Sequence, residues 1–146
     1  MNLFTVGFTK KTAETFFCLL ESHHINCLVD IRVHPGTQLS GFAKDRDLAY
    51  FLRRLLDCEY IHLPALAPTE EILTTYRRDR NWDQYAKRFE HLMDERHIPG
   101  DLNLQLFQEK TTCLLCSEDT PDKCHRRLVA ERLQKYWGNV QIIHLH

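Results

Sequence analysis

Five short apolar runs separated by stretches of helical periodicity constrain this chain more than any other feature. The runs are residues 3–7 (LFTVG), 26–31 (NCLVDI), 60–63 (YIHL), 111–117 (TTCLLCS) and 140–145 (VQIIHL). Two of them, 26–31 and 111–117, are nearly continuous in apolar residues, the pattern of a strand covered on both faces. After Thr12, a candidate N-cap, Phe16, Phe17, Leu19 and Leu20 cluster at helical spacing, and Leu48, Phe51, Leu52, Leu55 and Leu56 form a second amphipathic stripe. Thr69 caps a further helix with Glu70 and Glu71 in its first turn, and Trp82, Tyr85, Ala86, Phe89, Leu92 and Met93 make one apolar stripe before Pro99-Gly100. Residues 101–108 alternate like a strand, but Asp101 as a cap favours a short helix. Thr120-Pro121-Asp122 reads as the cap, first-turn proline and first-turn acid of a last helix that runs to about Trp137 and stops at Gly138. Strand alternating with helix implies parallel pairing through crossovers. The expectation is a single three-layer α/β/α domain over residues 1–146, with a mainly parallel sheet of about five strands.

Composition narrows the function classes. With 146 residues, 43% apolar and 27% charged, the chain has the make-up of one globular domain rather than of a disordered or collagen-like polymer. Nineteen Lys and Arg against twenty Asp and Glu give a net charge of −1, so nucleic acid can be held only by a local patch. No apolar run approaches the ~20 residues that cross a bilayer, and residues 1–8 lack the basic-then-apolar layout of a secretion signal. The expectation is a cytoplasmic protein with no membrane partner and an oligomeric state left open. Six cysteines in a chain this rich in Leu, Ile and Phe are read as reduced thiols rather than as staples.

Ligands of open parallel sheets sit beyond the carboxyl ends of the strands, where helix N-termini turn their free N–H groups outward. The second run ends Asp30-Ile31-Arg32-Val33-His34, whose alternate residues Asp30, Arg32 and His34 share a side. They form either an ion pair and loop cap or part of a site. The fourth run ends Cys116-Ser117-Glu118-Asp119, and Cys124-His125-Arg126-Arg127 follow in the first turns of the last helix. Arg126 and Arg127 there oppose the helix dipole, which makes sense if an anion is held; the alternative is a loop staple through Glu118, Asp119 or Asp122. Lys44, Tyr60 and His62 complete the polar residues near these loops. The stripe Trp82, Tyr85 and Phe89 is read as core packing before base stacking.

Cys124, close to a helix N-terminus and beside basic residues, has its thiolate favoured. The Cys-x5-Arg loop of phosphatases and sulfurtransferases is nevertheless missing, since Asp122 lies six residues after Cys116 and Ala130 six after Cys124. Cys113 and Cys116 point to opposite faces of a strand and cannot share a metal. Cys116, Cys124 and His125 remain as a possible ligand set, while the working expectation is no metal and no cofactor. Cys18, Cys27, Cys58 and Cys113 are read as small hydrophobes.

Val6-Gly7, Leu28-Val29-Asp30-Ile31-Arg32 with Pro35, Tyr60-Ile61-His62-Leu63-Pro64, and Leu114-Leu115-Cys116-Ser117-Glu118 with Cys124-His125-Arg126 together resemble the family called Domain of Unknown Function 488. The resemblance spans nearly the whole chain and implies a single α/β domain of bacterial or archaeal origin. It implies no activity. Two places depart from the family pattern: the turn Gly7-Phe8-Thr9-Lys10-Lys11, and the loop Pro64-Ala65-Leu66-Ala67-Pro68 where relatives carry a Leu-Gly-Gly turn.

The leading expectation is an enzyme acting on a phosphate-bearing substrate, a nucleotide or a nucleic-acid end. Asp30, Glu118, Cys124 and His125 are its candidate catalytic groups. Arg32, His34, Lys44, Tyr60, His62, Cys116, Arg126 and Arg127 are its candidate binding groups. The alternative is a non-catalytic nucleotide- or nucleic-acid-binding module using the same basic loops, and a third possibility is a ligand-free network of ion pairs and thiols.

Overall fold

The computed structural model describes residues 1–37 and 41–146. Its five strands are β1 (Asn2–Gly7), β2 (Cys27–Asp30), β3 (Glu59–His62), β4 (Thr112–Cys116) and β5 (Gln141–His144). They pair in the order β3-β2-β4-β1-β5, every pair parallel. All five apolar runs are therefore strands, and the sheet is the expected one. The two nearly continuous runs became β2 and β4, buried at every residue, whereas β3 and β5 form the half-exposed edges.

The helices are α1 (Ala13–Ser22), α2 (Asp45–Leu56), α3 (Glu70–Asp79), α4 (Trp82–Glu95), α5 (Leu104–Glu109) and α6 (His125–Trp137). Phe16, Phe17 and Leu20 of α1 and Leu48 and Leu52 of α2 cover one face of the sheet, against Phe4, Val6, Leu28, Cys113 and Leu115. Phe89 and Met93 of α4, Phe107 of α5, and Leu128, Val129 and Leu133 of α6 cover the other, against Leu3, Cys27, Val29 and Leu114. Each such side chain removed from water contributes about 1.5–3 kcal/mol. Thr12 and Thr69 cap α1 and α3 through their hydroxyls, as their position before the apolar stripes predicts. Gly138 closes α6 with φ of +84°, a conformation that an L side chain resists.

Two boundaries differ from expectation. Asn103, not Asp101, occupies the N-cap position of α5. The last helix begins at His125, so the Thr120-Pro121-Asp122 signal marks a turn, and Cys124 is the N-cap residue. In the stretch before α6 the Arg126 guanidinium holds the carbonyls of Glu118 and Asp119, which fits a turn there and not a first helical turn.

The order of strands locates the crevice. The chain leaves β2 toward the α2 face and leaves β4 toward the α6 face, and these two strands are neighbours. Connections departing to opposite sides open a gap at the carboxyl ends of β2 and β4.

Candidate functional site

The segments around 30–34 and 116–127 emerge side by side at that gap. Ile31 N donates to Leu115 O at 3.1 Å, and His125 Nε2 donates to Ile31 O at 2.7 Å, tying the end of β2 to the first residue of α6. Between them lies a cleft of about 320 Å³. Its lining includes Arg32, Val33, His34 and Thr37 after β2, Arg77 on α3, Tyr85 on α4, and Cys116, Ser117, Glu118, Lys123, Cys124 and His125 from the β4–α6 loop. A larger hollow beside Asn26, Glu59 and Lys110 lies at the opposite, amino ends of the strands, away from these helix N-termini.

Arg32 is almost completely buried and rigidly held. Its Nε and Nη2 donate to the Asp30 carboxylate at 2.9 and 2.7 Å, and its main-chain N donates to the same carboxylate at 3.1 Å. Tyr60 Oη adds a fourth donor to Asp30 at 2.5 Å. Burial first, and the bond to Asp30 second, push the Tyr60 phenol far above its ordinary pKa, so it stays a donor. The Asp30 carboxylate thus spends its acceptor capacity on orienting Arg32. Arg32 Nη1 is buried with no hydrogen-bond partner among the described residues, which an ionised guanidinium tolerates poorly.

Two sulfurs and an imidazole form the floor. Cys116 Sγ and Cys124 Sγ are 2.7 Å apart, and His125 Nδ1 lies 3.5 Å from Cys116 Sγ. All three residues are buried. Because His125 Nε2 faces a carbonyl, its proton sits there, and Nδ1 is the nitrogen turned to sulfur. Burial works against ionising Cys116, yet the hydrogen bond from Cys124 and the neighbouring His125 hold its thiol well below the usual value. Burial, and then the Cys116 sulfur, push Cys124 well above it. The pair is asymmetric, with Cys124 Sγ donating to Cys116 Sγ. His125 is raised in turn: burial opposes its charge, and Cys116 outweighs it.

The remaining sequence candidates are spread more widely. His34 turns outward to the Glu70 carboxylate at the start of α3. His62 Nε2 donates to Arg32 O at 3.0 Å and so braces the loop from beneath. Lys44 sits exposed at the N-cap of α2, away from the cleft lining. Arg127 packs over the Trp82 ring and lies 3.6 Å from Glu131. Arg126 is fully buried, with Nε on Thr5 Oγ1 at 3.2 Å and its other nitrogens on the Glu118 and Asp119 carbonyls. It staples the loop through main-chain carbonyls, where the sequence reading offered ion pairs with Glu118, Asp119 or Asp122, and it is absent from the cleft lining, which corrects its expected role as an anion-binding group. Loop one contributes bracing too: Thr9 N donates to Ser117 O at 3.1 Å, and Lys11 pairs with Asp119 at 3.0 Å.

Sequence reasoning missed Arg77 and Lys123, both in the lining. Arg77 carried only the signal of a base in a helix's last turn, and nothing local shows which loop that turn faces. Tyr85 is buried among core residues, as expected, and its rim borders the cleft.

The family model described as Domain of unknown function DUF488 matches residues 12–133. The chain belongs to this family. No curated protein and no solved structure matches it. The match takes in β2, β3, β4 and most of α6, and hence every residue that lines the cleft of this DUF488 domain.

Proposed function

We propose that this DUF488 domain is an enzyme acting on a phosphate-bearing substrate, such as a nucleotide or a nucleic-acid end, held in the cleft between the β2 and β4 loops. The observation that carries the reading is the charge of the cleft. Among the described residues its lining holds three obligate cations, Arg32, Arg77 and Lys123, against one carboxylate, Glu118. Arg32 adds a guanidinium that Asp30 orients in advance through Nε and Nη2, with Nη1 the nitrogen left unspent among the described residues, and a preorganised donor binds an oxyanion at lower entropic cost.

In this reading Arg32, Arg77 and Lys123 hold the anion, and Glu118 is the acid or base within reach of it. Cys116, Cys124 and His125 supply the reactive floor. Asp30 acts one step back, as a positioning residue for Arg32, and Arg126 positions the loop that carries Glu118. A cleft of this volume suits a small ligand or a strand end rather than a length of duplex, and the near-zero net charge agrees.

Thermal-shift titration with inorganic phosphate and with AMP tests the binding half. The native chain rises in melting temperature, and Arg77→Ala and Lys123→Ala, both at exposed or half-exposed positions, lower the shift. No shift with either compound, or shifts unaltered in both variants, overturns the proposal. Incubation with nucleotides and 5′-phosphorylated oligonucleotides, followed by product chromatography, tests the catalytic half. Binding without product transfers the domain to the non-catalytic reading.

A further inference from the structure

We infer that Cys116, Cys124 and His125 form a binding site for one thiophilic divalent cation, zinc or ferrous iron, with its open coordination position facing the cleft. The inference stands apart from the phosphate reading, because it rests on the floor of the cleft and not on its cationic walls.

Four observations converge on it. The three ligand atoms, Cys116 Sγ, Cys124 Sγ and His125 Nδ1, lie within 4.8 Å of one another. Tetrahedral zinc with its usual bond lengths sets neighbouring ligand atoms roughly 3.5–3.8 Å apart. The 3.5 Å between Cys116 Sγ and His125 Nδ1 already meets that spacing, and the sulfurs, 2.7 Å apart, need to part by roughly 1 Å to admit the ion.

The imidazole is set up as a ligand. Its Nε2–H is anchored on the Ile31 carbonyl at 2.7 Å, which turns Nδ1 toward sulfur as the nitrogen a cation would take, displacing any proton there. An imidazole ligand fixed through its far nitrogen by a main-chain carbonyl is the standard outer-shell arrangement of metal sites. A merely packed histidine in the core has no need of the Cys116 sulfur at its other nitrogen with a second sulfur within 4.8 Å.

The ligands also come from elements that hold their spacing. Cys116 ends β4, and Cys124 and His125 are the N-cap and first residue of α6, whose dipole favours negative sulfur. Finally, all three border the cleft. Three protein ligands and an open fourth position are the pattern of a catalytic rather than a structural zinc centre, and the two-sulfur, one-nitrogen donor set selects zinc or iron over magnesium or calcium.

The test uses the full chain, reduced and stripped of metal under anaerobic conditions. Addition of Co²⁺ as the probe gives one equivalent bound, with the visible bands of tetrahedral cobalt and a sulfur-to-metal charge-transfer band. Cys116→Ser, Cys124→Ser and His125→Gln each lose those bands, and Cys18→Ser, altering an exposed thiol, keeps them. Should the site variants fold poorly, the unaltered chain decides: Zn²⁺ raises its Tm by roughly 5 °C or more and a chelator reverses the rise. A reduced chain that takes up no cobalt and shows no zinc-dependent shift overturns the inference, as does full uptake retained by all three site variants. Failure here with phosphate binding intact sinks the metal alone; the converse sinks the phosphate reading alone.

Discussion

Arg126 bonds the main-chain carbonyl of Glu118, not its carboxylate. One residue therefore serves two ends: its backbone is pinned into the loop while its side chain stays exposed in the cleft. Glu118→Gln leaves the pinned carbonyl untouched, so its melting temperature stays within about 2 °C of the native value. Phosphate affinity rises a few-fold, because the one carboxylate that the described residues give the lining has lost its charge, and turnover of the phosphate-bearing substrate is lost. A large fall in Tm would mean that the side chain is structural after all.

The same contact requires a glycine at the end of β1. A Cβ on Gly7 would fall on top of the Glu118 carbonyl and within 2.6 Å of Arg126 Nη1. The obstacle is backbone, which cannot swing aside as a side-chain tip can. Gly7→Ala is expected to cost about 3 kcal/mol or more in urea unfolding, at the upper end of overpacking. Gly41→Ala, whose added methyl would meet nothing within 4 Å among the described residues, is the control and stays near native stability. Equal behaviour of the two variants would contradict the close approach of Gly7 to Glu118.

Asp30 carries four donors, three from Arg32 and one from Tyr60. Asp30→Asn removes the charge that compensates a buried guanidinium, and breaking such a pair costs about 3–5 kcal/mol. Tyr60→Phe deletes one bond to a charged acceptor and costs about 2 kcal/mol. Chemical denaturation of both variants checks the ranking. If Asp30→Asn kept native stability and lost only activity, the residue would be a participant in chemistry rather than the anchor of Arg32.

The parts of this architecture that were legible in the sequence are those with local causes. Runs such as 26–31 and 111–117 announce buried strands because their apolar residues are nearly continuous, and Thr12 and Thr69 announce helix starts because a hydroxyl satisfies a free N–H. The closeness of residues 30–34 to 116–127 followed from the rule that parallel strands gather their carboxyl ends. What sequence could not assign was the partner of each charge. Arg126 has cations and acids on both sides in the chain, and only the turn before α6 commits it to carbonyls. Arg77 reached the cleft through the packing of α3 on α4, which no local pattern encodes. The start of α6 was misplaced because the Thr120-Pro121-Asp122 signal is also good turn chemistry.

Thr5 links the staple to the edge of the sheet and makes stability depend on pH. Its buried hydroxyl accepts from Arg126 Nε at 3.2 Å, so its own hydrogen goes to His144 Nδ1, 2.6 Å away. That chain of donors needs His144 neutral, with its proton on Nε2. Burial first, then the charge of Arg126, hold His144 below the usual histidine value, with His146 and Arg127 adding to the effect and Asp122 opposing it. In the unfolded chain the same imidazole takes up a proton near pH ~6.5. Below that point the unfolded state binds more protons than the folded one, so the contribution of this group is intact above pH ~6.5 and is lost as the pH falls toward the lowered folded value. His144→Asn keeps an acceptor near the Nδ1 position without a titration. Unfolding free energies measured from pH ~7.5 down to ~5.5 should therefore fall less steeply in the variant than in the native chain. Identical slopes would show that the Arg126-Thr5-His144 relay does not control the protonation of His144.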